Sequence, residues 1–236
     1  MNVYWTLDHT KAKGSLRVKE IEPVLKNINK NISKLGFRNG YTMCPAFRDY
    51  FNNVYGWKSI YTYSIKEDTK ATGYKSDLYN QEFFNRHITI RSFEEKLISF
   101  YPYVSFVTDS PSLELSIEHP YFEDNKFTST CYVIPGILDI GKYYRHLDFA
   151  FHIKKDHKTF AVDEGEVLFY LRFHTKEKIK FKQYYMTDRL REYQNMITDI
   201  KQYSKSVSRP ISFFYELYKK SNLKNKILKE IRENLV

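Results

Sequence analysis

Three segments in the middle of this 236-residue chain limit its fold more than any other feature, because their polarity repeats with a strand's period or runs continuously apolar. Leu113-Glu-Leu-Ser-Ile117 alternates apolar and polar residues, and Leu147 to Ile153 does so again, with Leu147, Phe149, Phe151 and Ile153 in phase. Successive side chains of a strand point to opposite faces, so this period of two marks a half-buried strand. Val167 to Phe173 follows as a nearly continuous apolar run. Shorter strands are expected at Val3–Leu7, Ile60–Ile65, His87–Arg91, Ile98–Val107, Cys131–Ile134 and Phe160–Val162. Turns fall at Pro135-Gly136 and Asp163-Glu-Gly165, and Lys66 to Asn80 reads as a polar hairpin loop. Many short strands with turn signals between them point to a sandwich or barrel. The segments from about 60 to 173 are expected to share one apolar interior, with ionisable groups turned outward.

Both ends change period. From Glu20 onward, Ile21, Val24, Leu25, Ile28, Ile32 and Leu35 recur at helical spacing, with Lys26, Lys30 and Lys34 opposite. Pro23 suits the first turn, where a missing N–H costs nothing, and Gly36 suits a left-handed C-terminal cap. Pro45 is expected to open a short turn carrying Phe47, Tyr50 and Phe51. From Asp188, Leu190, Tyr193, Met196, Ile197, Ile200 and Tyr203 form a second stripe, broken over Ser204–Pro210. A short helix follows at Ile211–Tyr218. Ser221 is expected to cap a last helix whose apolar face is Leu223, Ile227, Leu228, Ile231 and Leu235.

The charge is uneven. Lys and Arg exceed Asp and Glu by 10 over the chain. Residues 175–236 hold fifteen Lys or Arg against seven Asp or Glu, which is +8, and leave +2 for the rest. A basic tail raises nucleic acid as a partner for residues 175–236, beside the plainer reading of a solvated helix face. The 21 Tyr and 18 Phe favour strands and large contact surfaces. Cys44 and Cys131 lack the spacing of a disulfide framework or zinc knuckle, and Cys44 is expected to be buried before its proline. No run approaches the ~18 apolar residues of a membrane span. Met1 to His9 lacks the apolar run of a signal peptide, so the cytoplasm is the expected compartment.

Pro135-Gly-Ile-Leu-Asp139, Tyr143-Tyr-Arg145 and Gly165-Glu-Val-Leu-Phe-Tyr-Leu171 resemble the central motifs of the dUTPase and dCTP-deaminase group. The resemblance implies a β-clip body. It would make Asp139 the carboxylate that activates water or contacts the sugar and Tyr144 the aromatic under the deoxyribose, with Mg²⁺ as cofactor. Two features depart from the pattern: Tyr170 stands where the second motif has glutamine, and Ser116–Phe122 contains Glu118 where a phosphate loop needs cations. A longer stretch, roughly residues 40 to 185, is similar to a group of uncharacterised proteins from tailed phages and bacteria. Cys44-Pro-Ala-Phe47, Gly56-Trp57, Phe100-Tyr-Pro-Tyr103, Pro135-Gly-Ile-Leu and the Gly165-Glu turn carry that likeness. It implies a fold and a viral setting, hence a host cytoplasm, but no reaction.

His146, Asp148 and a later His174 have the composition of an iron-oxygenase ligand set, so Fe or Zn is the metal alternative. The polar face of an antiparallel sheet shows the same residues, and that simpler reading is preferred. The pairs Tyr61/Tyr63 and Tyr101/Tyr103 could stack bases, or more simply cover a sheet face. The resulting expectation is a mainly β domain of jelly-roll or β-clip type, a sandwich or barrel, over residues 1–185 including the N-terminal helix. A basic helical tail occupies 186–236. The expected role is binding without catalysis, in self-association or on a protein partner, with no cofactor and no membrane. Nucleotide processing is the alternative, and nucleic-acid binding a further one.

Overall fold

The computed structural model describes residues 1–8, 21–34, 41–68, 73–76, 81–206 and 211–236. Gly36, Leu35 and the 207–210 part of the expected helix break lie outside the described residues, as do the side chains of Lys30, Ile32, Lys34, Ile200 and Tyr203. In chain order the first elements are β1 (Asn2–Leu7), β2 (Glu22–Pro23), α1 (Val24–Lys34), α2 (Pro45–Tyr50), β3 (Val54–Lys58), β4 (Tyr63–Asp68) and β5 (Gly73–Ser76). Next come α3 (Gln81–His87), β6 (Ile88–Ser92), β7 (Leu97–Phe100), β8 (Val104–Thr108), β9 (Glu114–Glu118) and α4 (Lys126–Thr130). The rest are β10 (Cys131–Ile134), β11 (Gly136–Asp139), β12 (Phe149–Ile153), β13 (Thr159–Val162), β14 (Val167–Phe173), β15 (Lys180–Gln183), α5 (Asp188–Ser206), α6 (Ile211–Lys220) and α7 (Leu223–Glu233).

The strands form four sheets, in the orders β15-β1-β8, β10-β12-β7-β6, β11-β9-β14-β3-β2 and β13-β4-β5. The molecule is mostly β, with no closed barrel among the described residues. One apolar interior receives side chains from all four sheets: Trp5 and Phe106 from the first, Phe149 and Phe151 from the second, Leu115 and Phe169 from the third, Ile65 and Phe160 from the fourth. The alternation of Leu147–Ile153 is real, since Leu147, Phe149, Phe151 and Ile153 are all buried.

Two sheets carry a second layer on their outer faces. The outer face of the β1 sheet presents Tyr4, Val107 and, beyond its strands, Tyr144 and Tyr184. Against these pack Leu190 and Ile197 of α5, Tyr218 of α6, and Ile227, Leu228 and Ile231 of α7. Being covered on both sides, β1 and β8 lose the alternation that marks a half-buried strand. On the five-stranded sheet, Val24 and Ile28 of α1, and Phe51 just after α2, lie over Val54, Val167 and Tyr170. That cover stops short of the β9–β11 side.

Several local expectations are corrected. The run Ile98–Val107 is two strands in different sheets, separated at Pro102 and Tyr103, whose φ of 53° turns the chain sharply. The strand at Cys131–Ile134 ends before Pro135 as expected, but β11 then starts at Gly136 in another sheet, a strand the residues did not announce. Of the polar stretch 66–80, the described residues 66–68 and 73–76 are strand, with Lys66 opposite Lys75 and Asp68 opposite Gly73, and the rest lies outside the described residues. Ser221 caps no N-terminus; its hydroxyl donates to the Tyr218 carbonyl (2.8 Å) at the end of α6. Met196 is exposed on α5 although its neighbour Ile197 is buried. Cys44, at the N-terminus of α2, is exposed, and Cys131 is buried.

Candidate functional site

Asp139 ends β11 and holds the turn that follows. Its Oδ1 accepts the backbone N–H groups of Leu113 (3.0 Å) and Gly141 (2.9 Å), and its Oδ2 accepts the Ser112 hydroxyl (2.5 Å). Lys142 Nζ lies 2.9 Å from the same Oδ2. Burial pushes this carboxyl up, but Ser112, the two backbone N–H groups and Lys142 outweigh it and hold the group below the usual aspartate value. Gly141 allows the close crossing, because a Cβ there would sit 2.7 Å from Ser112 Cα. Tyr144 is wholly buried, its hydroxyl accepting from Tyr184 (3.1 Å) and facing Met186 Sδ (3.8 Å). Both residues named by the nucleotide-enzyme resemblance are thus engaged in internal contacts, one closing a turn and the other under the helices.

The three residues of the metal alternative have separate partners. His146 lies between Ser105 and Asp8, Asp148 faces Arg91 (3.7 Å) and Arg145 (3.8 Å), and His174 bonds Ser116. Among the described residues no three His, Cys, Asp or Glu side chains gather as a metal site.

His146 belongs instead to a polar chain that sequence spacing could not reveal. Asp8 follows β1, Ser105 sits on the helix-facing side of β8, and Arg191 and Gln194 are one turn apart on α5. Gln194 Nε2 donates to Ser105 Oγ (2.5 Å), Ser105 Oγ meets His146 Nδ1 at 3.2 Å, and His146 Nε2 meets Asp8 Oδ2 at 3.2 Å. With Gln194 donating to the hydroxyl oxygen, the serine proton points to Nδ1 and the imidazole proton to Asp8. Arg191 closes the set with two bonds to Asp8 Oδ1 (2.7 and 3.2 Å). Burial raises the Asp8 carboxyl, yet His146 and Arg191 outweigh it and hold the group below its ordinary value. Serine, histidine and aspartate in this order form a nucleophile–base–orienter set in hydrolases. Here Ser105 is fully buried with Gln194 on its oxygen, so a carbonyl carbon has no approach. The chain fastens α5 to the β1 sheet.

The outer face of the five-stranded sheet on its β9–β11 side is different in kind, with Ser116 buried and Ile137 exposed. Opposite residues of neighbouring strands share a face, so Ile137 of β11, Ser116 of β9 and Arg172 of β14 form a row across it. Arg172 makes a bidentate pair with Glu118 (Nε–Oε1 2.5 Å, Nη2–Oε2 3.0 Å) and also donates to the Tyr50 carbonyl. The Tyr50 ring lies 3.8 Å from that guanidinium. Tyr121 donates its hydroxyl to Glu118 (2.6 Å), and Phe122 packs edge-on against Phe47 and Phe51. Burial raises Glu118, but Arg172 and Tyr121 outweigh it and hold the carboxylate below its usual range. Beside these, His119 touches Tyr121 and Tyr132, and Lys154 Nζ sits 4.5 Å over the Tyr132 ring.

Two other places carry less. Tyr61, Tyr63 and His87 line a cavity of about 10 Å³ with Trp57 and Phe100, the size of a single water. On the basic tail, Arg189 and Lys229 face Glu230 (3.7 Å) and Glu233 (3.9 Å), which breaks up the positive field. No helix among the described residues is long and apolar enough to cross a membrane.

Comparison with protein-family models, with curated proteins and with solved structures finds no match. The likenesses carried by Pro135–Leu171 and by residues 40–185 therefore rest on the quoted residues alone.

Proposed function

We propose that this protein acts by binding another protein, without catalysing a reaction, through the outer face of its five-stranded sheet. One observation carries the reading. Tyr50, Tyr121 and Phe122, exposed by 49, 48 and 42%, stand beside the Arg172–Glu118 pair, Tyr50 over the guanidinium, Tyr121 bonded to the carboxylate and Phe122 next to it in the chain. Aromatic residues, Met and Arg are the types that dominate protein–protein contacts. These rings are held by their own neighbours, Tyr50 by Arg172 and Tyr121 by Glu118, so docking freezes few rotamers. Local charge is balanced here, which favours a protein partner over a polyanion. A phage setting, and a β-clip or jelly-roll type for the body, belong to the same proposal and draw on the resemblances above.

The test needs no known partner. Random peptides displayed for selection on an immobilised protein settle on its binding-competent patches. Most selected peptides are expected to lose binding to the Tyr50→Ala/Phe122→Ser double variant and to keep it for Ile90→Ser on the second sheet. Peptides that bind the double variant as well as the parent would refute the reading.

A further inference from the structure

Arginine carries five N–H donors on a planar, permanently charged group, and burying it is unfavourable unless those donors are met. Elsewhere in this molecule they are. Arg172 closes on Glu118 at 2.5 and 3.0 Å, and Arg191 closes on Asp8 at 2.7 and 3.2 Å. Arg145, in the segment between β11 and β12, lies between those two in side-chain exposure (24%, against 12 and 27%) but is not met in this way. Its Nε is buried with no hydrogen-bond partner among the described residues. The Tyr143 phenol bonds the guanidinium, and Asp148 Oδ1 stands 3.8 Å away, beyond hydrogen-bond distance.

A second guanidinium faces the same carboxylate. Arg91 of β6 reaches across β7, donating from Nε to Ser99 Oγ (2.8 Å) and from Nη2 to the Tyr101 hydroxyl (3.4 Å). Its Nη2 stands 3.7 Å from Asp148 Oδ2. Each oxygen of Asp148 is thus faced by one arginine, at a distance that closes no hydrogen bond. Other groups fix both forks in place. The two hydroxyls hold Arg91. Arg145 is held by Tyr143, whose ring centre lies 5.1 Å from the guanidinium carbon and stacks on Tyr215 of α6 at 5.5 Å and 19°. The three side chains carry two positive charges and one negative, and the group opens to solvent at Arg91, which is 44% exposed.

We propose that Arg91, Arg145 and Asp148 form a binding site for a phosphate group that carries a proton, either inorganic phosphate or a terminal phosphomonoester. Two pre-positioned forks supply donors in the planar geometry that phosphate oxygens accept. The carboxylate decides which oxyanion fits. Sulfate or a phosphodiester has no hydrogen to give and would set an oxygen lone pair against Asp148. A phosphate with a P–OH donates that hydrogen to a carboxylate oxygen, which turns repulsion into a charge-assisted bond. The three residues belong to the second sheet and the segments beside its strands, so the site stands independently of the aromatic patch on the five-stranded sheet.

Isothermal titration calorimetry of the full chain with sodium phosphate and with sodium sulfate tests this, at an ionic strength of about 20 mM where exposed charges are least screened. The parent is expected to bind phosphate one to one, and sulfate at least ~10-fold more weakly, the factor that a hydrogen bond to a charged group carries. Arg91→Gln, a change at the exposed end of the site, is expected to lose phosphate affinity by a similar factor with an unchanged circular dichroism spectrum. Asp148→Asn is expected to reverse the preference, because an amide donates to an oxygen that carries no proton. Lys226→Glu, on α7, controls for loose attraction of anions to a basic chain and should bind phosphate like the parent.

Phenyl phosphate separates the two sources. Below its second ionisation, at about pH 6, the ester carries the required proton, and above it the ester has none, whereas inorganic phosphate keeps a proton throughout the neutral range. Phenyl phosphate that binds like phosphate on the acid side and weakens on the alkaline side assigns the site to the monoester end of a larger ligand. Binding of inorganic phosphate alone assigns it to the free ion, and either outcome supports the site. A parent that binds neither phosphate nor its ester, or binds sulfate as well as phosphate, would overturn the inference. So would phosphate binding that Arg91→Gln leaves intact, or an Asp148→Asn protein that keeps the parent's preference.

Discussion

Replacing Asp139 by Asn and by Ala separates a structural from a catalytic aspartate, because the two oxygens have different tasks. Asn can keep its carbonyl oxygen at the Oδ1 position, where Leu113 and Gly141 donate, and present its NH₂ to Ser112 Oγ. It loses the Lys142 ion pair, which is partly exposed at 39% on the lysine side, and such pairs are worth ~0–1 kcal/mol. Asn should therefore cost about 1 kcal/mol. Ala leaves two backbone N–H groups without their acceptor at roughly 1–3 kcal/mol each, so about 2–6 kcal/mol in all. For a chain of this length 1 kcal/mol moves Tm by about 2–4 °C. Scanning calorimetry should place Asn about 2–4 °C below the parent and Ala about 4–24 °C below it. An Ala variant as stable as Asn would refute the assignment of those two bonds. The same proteins, incubated with a panel of deoxynucleotides and Mg²⁺ or Zn²⁺, decide the nucleotide-processing alternative. No turnover is expected from any of them, and turnover by the parent that Asn abolishes would establish the enzyme.

Three further outcomes are expected. Thiol labelling of the native protein at about pH 8 should modify Cys44 quickly and leave Cys131 untouched until unfolding, because burial pushes the Cys131 thiol up to about 12; equal rates for both would contradict the placement. The Asp8 carboxyl is depressed from its ordinary 3.8, so its contribution is fully present above that value and is lost as pH falls through the lowered folded value. The urea midpoint should accordingly fall below about pH 4, and fall less in Arg191→Gln; the same acid slope in both proteins would refute the pairing. Duplex DNA or RNA binding is expected to be weak and lost by about 150 mM salt. Binding that persists there, and that Lys226→Glu/Lys229→Glu weakens, would restore the basic tail as a nucleic-acid surface. Deleting 186–236 is no substitute, since it would strip Ile197, Ile227 and Ile231 from the β1 sheet.

How much of this was readable beforehand depended on whether one face of each strand meets water. Phe149, Phe151 and Ile153 alternate with Ala150 and the partly exposed His152, so that strand shows in the residues themselves. β1 and β8 are covered on both sides, and the apolar run 98–107 concealed a change of sheet that hinges on one backbone angle at Tyr103. β15 pairs in parallel with β1, with Lys180 beside Asn2, a contact between nearly opposite ends of the chain that no local pattern encodes. Cys44 looked like core because it precedes a proline, but the helix opened by Pro45 carries it to the surface. The candidate site was legible only as raw material. Excess Tyr and Phe signalled a contact surface, while His146 was noticed for its neighbour Asp148 and turned out to face Asp8 and Ser105. Partners brought together from positions 8, 105, 146, 191 and 194 become visible only after folding.

The central assertion is that the outer face of the five-stranded sheet is where this protein meets its partner. Hydrogen exchange read residue by residue, with and without the tightest selected peptide, tests it most directly. Slowed exchange is predicted at 45–51, 116–122 and 170–174, with α5 to α7 unchanged. Protection confined to the helical side, or spread over no contiguous surface, would contradict it.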